Sequence, residues 1–139
     1  MKKNNLKPAI IGLLLAISAI LLLSFYFRPR PVVSGNNCMV VYVEQNIDGH
    51  MEKIEVYDET KILSYLKTCY EQRNLFQNWD RHYAKDDIDL ELALFVDGHV
   101  KELYLGNFNY SDEGTGSVKW RIQNADEVRL TIRTILGLD

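Results

Sequence analysis

Acidic residues are missing from the first 35 positions, although the chain of 139 residues holds 19 of them, and only five of the 16 Lys and Arg fall there. After position 35 there remain 11 basic against 19 acidic residues, a formal charge of −8, so the overall −3 averages two unlike parts. Such an acidic excess excludes a nucleic-acid binder that works by neutralising phosphates, which needs Lys and Arg in surplus on one face. Histidine and cysteine are scarce, three and two, and no His-x-x-x-His or Cys-x-x-Cys spacing gathers them for zinc. No Gly-x-Ser-x-Gly nucleophile motif occurs, and Gly114-Thr115-Gly116-Ser117 lacks the Lys-Ser or Lys-Thr of a phosphate loop. No catalytic centre, metal or cofactor is therefore expected. The part after position 35 is the size of one core and is too rich in Leu, Ile, Val and Tyr for disorder.

One segment has no charge at all. Ala9 to Phe27 is an uncharged, predominantly apolar run, preceded by Lys2, Lys3 and Lys7 and closed by Arg28-Pro29-Arg30-Pro31. At ~1.5 Å per residue its length approaches the ~30 Å hydrocarbon core of a bilayer. Phe25, Tyr26 and Phe27 stand at its far end, where aromatic rings favour the membrane interface. Residues 1–8 are read as a cytoplasmic N-terminus, 9–27 as a transmembrane anchor, 28–37 as a Pro/Gly/Asn tether and 38–139 as an extracytoplasmic domain, oriented by the positive-inside bias. A cleaved signal peptide is the competing reading, with a poor site near Val33 and Gly35. Lipidation of Cys38 is disfavoured by the polar Asn36 and Asn37 before it.

In the outer part, Cys38 to Glu44 and Met51 to Tyr57 read as strands joined at Asp48-Gly49, a strong hairpin signal because both turn residues need positive φ. Asp58 offers an N-cap to an amphipathic helix over residues 59–71, carried by Ile62, Leu63, Leu66, Cys69 and Tyr70. Leu90 to Val96 and Val100 to Leu105 form a second hairpin at Asp97-Gly98, Val118 to Ile122 a fifth strand. Asn124 and Glu127 resemble a capping box before a last helix that ends at Gly137. The repeat of Asp48-Gly49-His50 in Asp97-Gly98-His99 is either a duplicated unit or shared turn chemistry. The expected fold is α+β: one transmembrane helix, then a two-layer domain of about five antiparallel strands with two helices on one face, in the order β-β-α-β-β-β-α.

This plan, carried by the Lys-rich start, the strand Val40-Val41-Tyr42-Val43, the strand Ile54-Glu55-Val56 running into Asp58, and Leu103-Tyr104-Leu105, resembles the small membrane-attached extracytoplasmic domains of unknown function of Gram-positive-type bacteria. The resemblance implies the architecture and no activity.

Two cysteines outside the cell invite a disulfide, yet a hairpin followed by a helix leaves Cys69 roughly 15–20 Å from Cys38, beyond the ~7 Å that bridged Cα atoms tolerate, so free thiols are expected. His50, His82 and His99 read as turn and surface residues. Asp86, Asp87, Asp89 and Glu91 read as a solvated face, Asp89 and Glu91 projecting to one side. The long connection from Gln72 to Asp87 is different. It carries Phe76, Trp79, Arg81, His82 and Tyr83, residue types favoured at protein-binding hot spots, although Phe76 and Trp79 would equally serve to cover the sheet. These five residues are the candidate partner surface. The function expected is a membrane-anchored domain that binds a protein, in one version a basic toxin met by an immunity or inhibitor protein. The alternatives are an envelope sensor or accessory subunit of a membrane complex, and a small hydrolase.

Overall fold

The computed structural model describes residues 6–73, 87–114 and 119–138. Its elements are helix α1 (Leu6–Tyr26), strands β1 (Arg30–Pro31), β2 (Cys38–Ile47) and β3 (His50–Ile54), helix α2 (Glu59–Leu66), strands β4 (Tyr70–Arg73), β5 (Ile88–Val96), β6 (His99–Gly106), β7 (Tyr110–Asp112) and β8 (Trp120–Ile122), and helix α3 (Ala125–Leu136). The protein is α+β, with an apolar N-terminal helix and one antiparallel sheet in the order β1-β4-β8-β7-β6-β5-β2-β3. Helix α1 contains a stretch, Pro8–Tyr26, of mean hydropathy 2.5 that is long and apolar enough to cross a membrane and is not buried in the domain, which it touches at its C-terminal end through Tyr26.

The two hairpins form where the Asp-Gly pairs foretell them. Asp48 and Gly49 adopt φ 53° and 85°, Asp97 and Gly98 φ 46° and 96°, and the strands pair through to Ile47–His50 and Val96–His99. Both residues of each turn lie in the left-handed region, which matches the twist of the flanking strands. The Asp58 carboxylate accepts the Lys61 amide at 3.0 Å and starts α2. Gly137, at φ 70°, ends α3 with its amide on the Thr134 carbonyl.

The alternating apolar residues of the central strands face the helices. Leu90, Leu92 and Leu94 of β5, Leu103 and Leu105 of β6 and Val43 of β2 meet Ile62 and Leu66 of α2 and Val128 and Ile132 of α3 in one core. Period-two residues from strands and period-3.6 residues from helices thus share a single apolar layer.

The sheet is larger than the five strands expected, and three departures account for it. Helix α2 stops at Leu66 rather than 71, because residues 70–73 form β4, with Glu71–Arg73 paired to Trp120–Ile122. The apolar spacing continues through Cys69, but ladder hydrogen bonds on both sides of β4 outweigh a weak helical preference. Tyr110–Asp112 form β7, bridging β6 and β8. Arg30 and Pro31, inside the stretch expected to be a tether, pair with Glu71 and Tyr70, and Val32 and Val33 are buried in the core. The element order is accordingly α-β-β-β-α-β-β-β-β-β-α. The capping-box expectation at α3 also fails: Asn124 is left-handed at φ 50° and its side chain caps nothing.

Candidate functional site

The strand register sorts the polar residues onto the sheet face opposite the helices. One row across that face runs Lys53, Glu44, Glu91, Tyr104, Tyr110, Arg121 and Gln72; the next runs Tyr42, Ala93, Glu102 and Asp112. Four carboxylates and three tyrosines therefore occupy neighbouring positions, with Lys53 and Arg121 toward the two sides. Glu44 lies directly across from Glu91, and Glu102 directly across from Asp112. Like charges placed opposite one another on a sheet are destabilising by roughly 0.2–1 kcal/mol.

Tyrosine hydroxyls soften this repulsion. Tyr42 donates to Glu91 at 2.8 Å and Tyr104 to Glu102 at 2.5 Å. Burial first, then these hydrogen bonds and the surrounding carboxylates, push both phenols well above their ordinary range. Tyr104 stacks on Tyr110 with centroids 4.7 Å apart, and Lys119 Nζ lies 4.7 Å from the centre of the Tyr110 ring. Met39, exposed and opposite Phe95, adds an apolar border. Tyr110 is buried among these side chains and the carboxylates are half-buried, so the face can accept hydrogen bonds and attract cations.

A second cluster lies on the helix side. Glu71 is fully buried, and its carboxylate accepts from Arg30 Nε at 2.7 Å, Lys101 Nζ at 2.6 Å and the Ser111 hydroxyl. Lys101 also donates to the Val32 carbonyl at 2.6 Å, and Arg30 pairs with Glu113. Two cations and two anions balance. Burial lowers the Lys101 amine below its ordinary range, while Glu71 opposes that shift. The cluster ties β1, β4, β6 and β7 together behind the end of α1.

The expected partner surface, Phe76, Trp79, Arg81, His82 and Tyr83, lies outside the described residues. His50 and His99 sit exposed at the hairpin turns, and His82 is again outside. Cys38 and Cys69 are free thiols, Cys69 buried against the Tyr65 carbonyl at 3.4 Å. Among the described residues no group of three or more His, Cys, Asp and Glu is arranged to hold a metal ion. The acidic stretch is split rather than aligned. A bulge between Ile88 and Leu90 turns Asp89 toward α3, where it pairs with Arg133 at 3.1 Å, while Glu91 stays on the open face.

The open face and the Glu71 cluster were missed by sequence reasoning for different reasons. Tyr42, Glu44, Glu91, Glu102 and Tyr104 all hold polar positions of strands correctly located, so stacking the strands in register would have assembled them. Glu71 sat inside an expected helix and carried no signal. The class so defined is an antiparallel sheet with helices on one face and a polar, tyrosine-rich opposite face, behind an apolar N-terminal helix. No protein-family model, curated protein or solved structure matches the chain.

Proposed function

We propose that this protein is a membrane-anchored extracytoplasmic domain that binds a protein with a basic surface, chiefly through the open sheet face. The observation that carries the reading is the pairing of like charges, Glu44 with Glu91 and Glu102 with Asp112, on a part of the chain that is already acidic. A sheet face without a partner gains nothing from such pairs, whereas a basic partner turns their repulsion into binding energy and long-range attraction. One form of this role is an immunity or inhibitor protein that neutralises a basic toxin at the cell surface.

The anchor is retained in this reading, with the N-terminus in the cytoplasm. Cleavage near Val33 or Gly35 would remove β1, both buried valines and the Arg30 partner of Glu71. A domain so dependent on its first residues is poorly suited to losing them.

The test places a photo-crosslinking amino acid at Met39 on the open face, or at Lys61 on exposed α2, in the full-length protein in its own membrane. A discrete basic protein captured from Met39, absent from Lys61 and weakened by salt and by Glu102→Gln, is expected. Equal capture at both positions, or none at Met39, sinks the proposal. The segment with Phe76, Trp79, Arg81, His82 and Tyr83 remains a proposed part of the surface. Trp79→Ala that folds normally but loses capture supports that extension, and a large loss of stability assigns Trp79 to the core instead.

A second reading, an envelope sensor or accessory subunit, draws support from the joint between helix and domain. Gln72 donates to the Phe27 carbonyl at 2.7 Å, and Arg73 packs on the Tyr26 ring, so movement of one part would be transmitted to the other. Exchanging α1 for an unrelated span distinguishes the two: full function after exchange favours the binding domain.

A further inference from the structure

The joint between α1 and the sheet forms a groove of about 520 Å³ lined by Phe25, Tyr26, Arg28, Arg30, Arg73 and Trp120, among others. Its cations are not equally engaged. Arg30 is held by Glu71 and Glu113 and lies 3.4 Å over the Trp120 ring. Arg73 is wedged between Tyr26 and Trp120, its guanidinium carbon 4.3 and 4.8 Å from the two rings, and its buried Nε has no hydrogen-bond acceptor among the described residues. Among the described residues neither Arg73 nor the exposed Arg28 takes part in an ion pair.

A guanidinium donor buried without an acceptor costs free energy unless an outside group supplies one. The groove begins where the apolar stretch Pro8–Tyr26 ends, which is the depth of lipid headgroups if α1 spans a bilayer. Arginine, with its fixed fork of donors, suits phosphate oxygens, and Phe25 and Tyr26 offer apolar wall to the glycerol and upper acyl chain. Two arginines that take part in no ion pair among the described residues favour a headgroup of net negative charge over a zwitterionic one, whose ammonium they would repel.

We propose that this groove binds one anionic glycerophospholipid, with Arg73 and Arg28 on its phosphate. The occupied lipid would set the height and tilt of the domain, and with it the direction in which the open sheet face looks. The proposal rests on the reading of α1 as a membrane anchor.

The full-length protein is reconstituted in vesicles of equal phosphatidylglycerol and phosphatidylcholine, extracted in mild detergent, and its retained lipid is identified by native mass spectrometry. One phosphatidylglycerol per chain is expected, preferred over phosphatidylcholine roughly ten- to thirtyfold, the scale of two arginines at a membrane surface. Arg28→Gln with Arg73→Gln brings the retained lipid to the bulk ratio. Protection of the buried Cys69 thiol reports whether that variant stays folded; if it does not, Arg28→Gln alone replaces it and lowers the preference about three- to fivefold. Wild-type protein without a preference, or a folded variant that keeps it, overturns the proposal. An excess of inorganic phosphate should leave the lipid in place; displacement would show that phosphate alone fills the site and would overturn the lipid assignment. Alkaline extraction of the membranes tests the anchor separately. A chain that stays in the membrane yet shows no lipid preference refutes the groove and leaves the anchor standing, whereas a chain released by alkali refutes the anchor itself.

Discussion

Replacing Glu71 by Gln removes one charge from a carboxylate that is fully buried. In the native protein the two carboxylate oxygens serve Arg30, Lys101 and Ser111, and Lys101, only 3% exposed, has the Val32 carbonyl as its other acceptor. Gln keeps one acceptor oxygen and turns an NH₂ group toward donors. Breaking a buried ion pair from one side costs about 3–5 kcal/mol, because the remaining charge is buried without compensation. Against a total stability of about 5–15 kcal/mol this is a large fraction. Lys101 can escape the cost by releasing its proton. Its folded pKa is already below the ordinary 10.5, so between the two values the unfolded chain binds more protons and stability from this group rises with pH. Loss of Glu71 lowers that pKa further. The damage in Glu71→Gln is therefore greatest at neutral pH and shrinks as pH approaches 10.5. Adding Lys101→Met removes the orphaned charge, so the double variant should recover more than about 1.5 kcal/mol relative to the sum of the singles. Urea unfolding of the full chain in detergent, followed by tryptophan fluorescence, measures all four corners of the cycle. A Glu71→Gln cost below about 1 kcal/mol, or simple additivity with Lys101→Met, would refute the claim that the pair is held together by mutual compensation.

Three further outcomes are expected. A maleimide reagent modifies Cys38 in the folded protein and reaches Cys69 only on denaturation, since burial raises the Cys69 thiol above its ordinary range and shields it; equal rates at both would contradict the packing of α2. In an alkaline titration followed by tyrosinate absorbance, Tyr42 and Tyr104 ionise in a late step, above the ordinary phenol range. Their folded pKa values are raised, so the stability they contribute is present below pH 10.0 and falls as pH climbs above it, and the late step disappears in Tyr42→Phe/Tyr104→Phe. Glu102→Gln, which keeps an acceptor for Tyr104 while removing the charge across from Asp112, raises the urea midpoint by an amount worth roughly 0.2–1 kcal/mol; a lowered midpoint would show that the charge is structural rather than held for a partner.

Local chemistry made much of the chain legible. The apolar run, the two Asp-Gly turns, the Asp58 cap and the Gly137 stop are short-range signals whose cause lies within a few residues, and each appears where the sequence places it. The errors lie where distant residues decide. Tyr70 and Glu71 were expected to end a helix and Gln72 and Arg73 to begin a connection, yet Tyr70–Arg73 became a strand because Trp120–Ile122 and Arg30–Pro31 stand on either side to pair with it. Asp89 and Glu91 alternate perfectly in sequence, but a bulge opposite Gly106 sends them to different faces; a side chain at Gly106 would meet the Asp87 carbonyl at 2.3 Å.

By itself the sequence determined that an apolar, membrane-length helix precedes an acidic α+β domain with two tight hairpins, because hydrophobicity, periodicity and turn stereochemistry are properties of neighbouring residues. Only the tertiary structure decided that the residues after the helix enter the sheet and that Glu71 meets Lys101 across 30 positions. The same is true of Glu44, Glu91, Glu102 and Asp112 sharing one face. Strand order and register are set by which partners bury the most apolar surface and satisfy the most backbone groups, a competition over the whole chain that no local window contains.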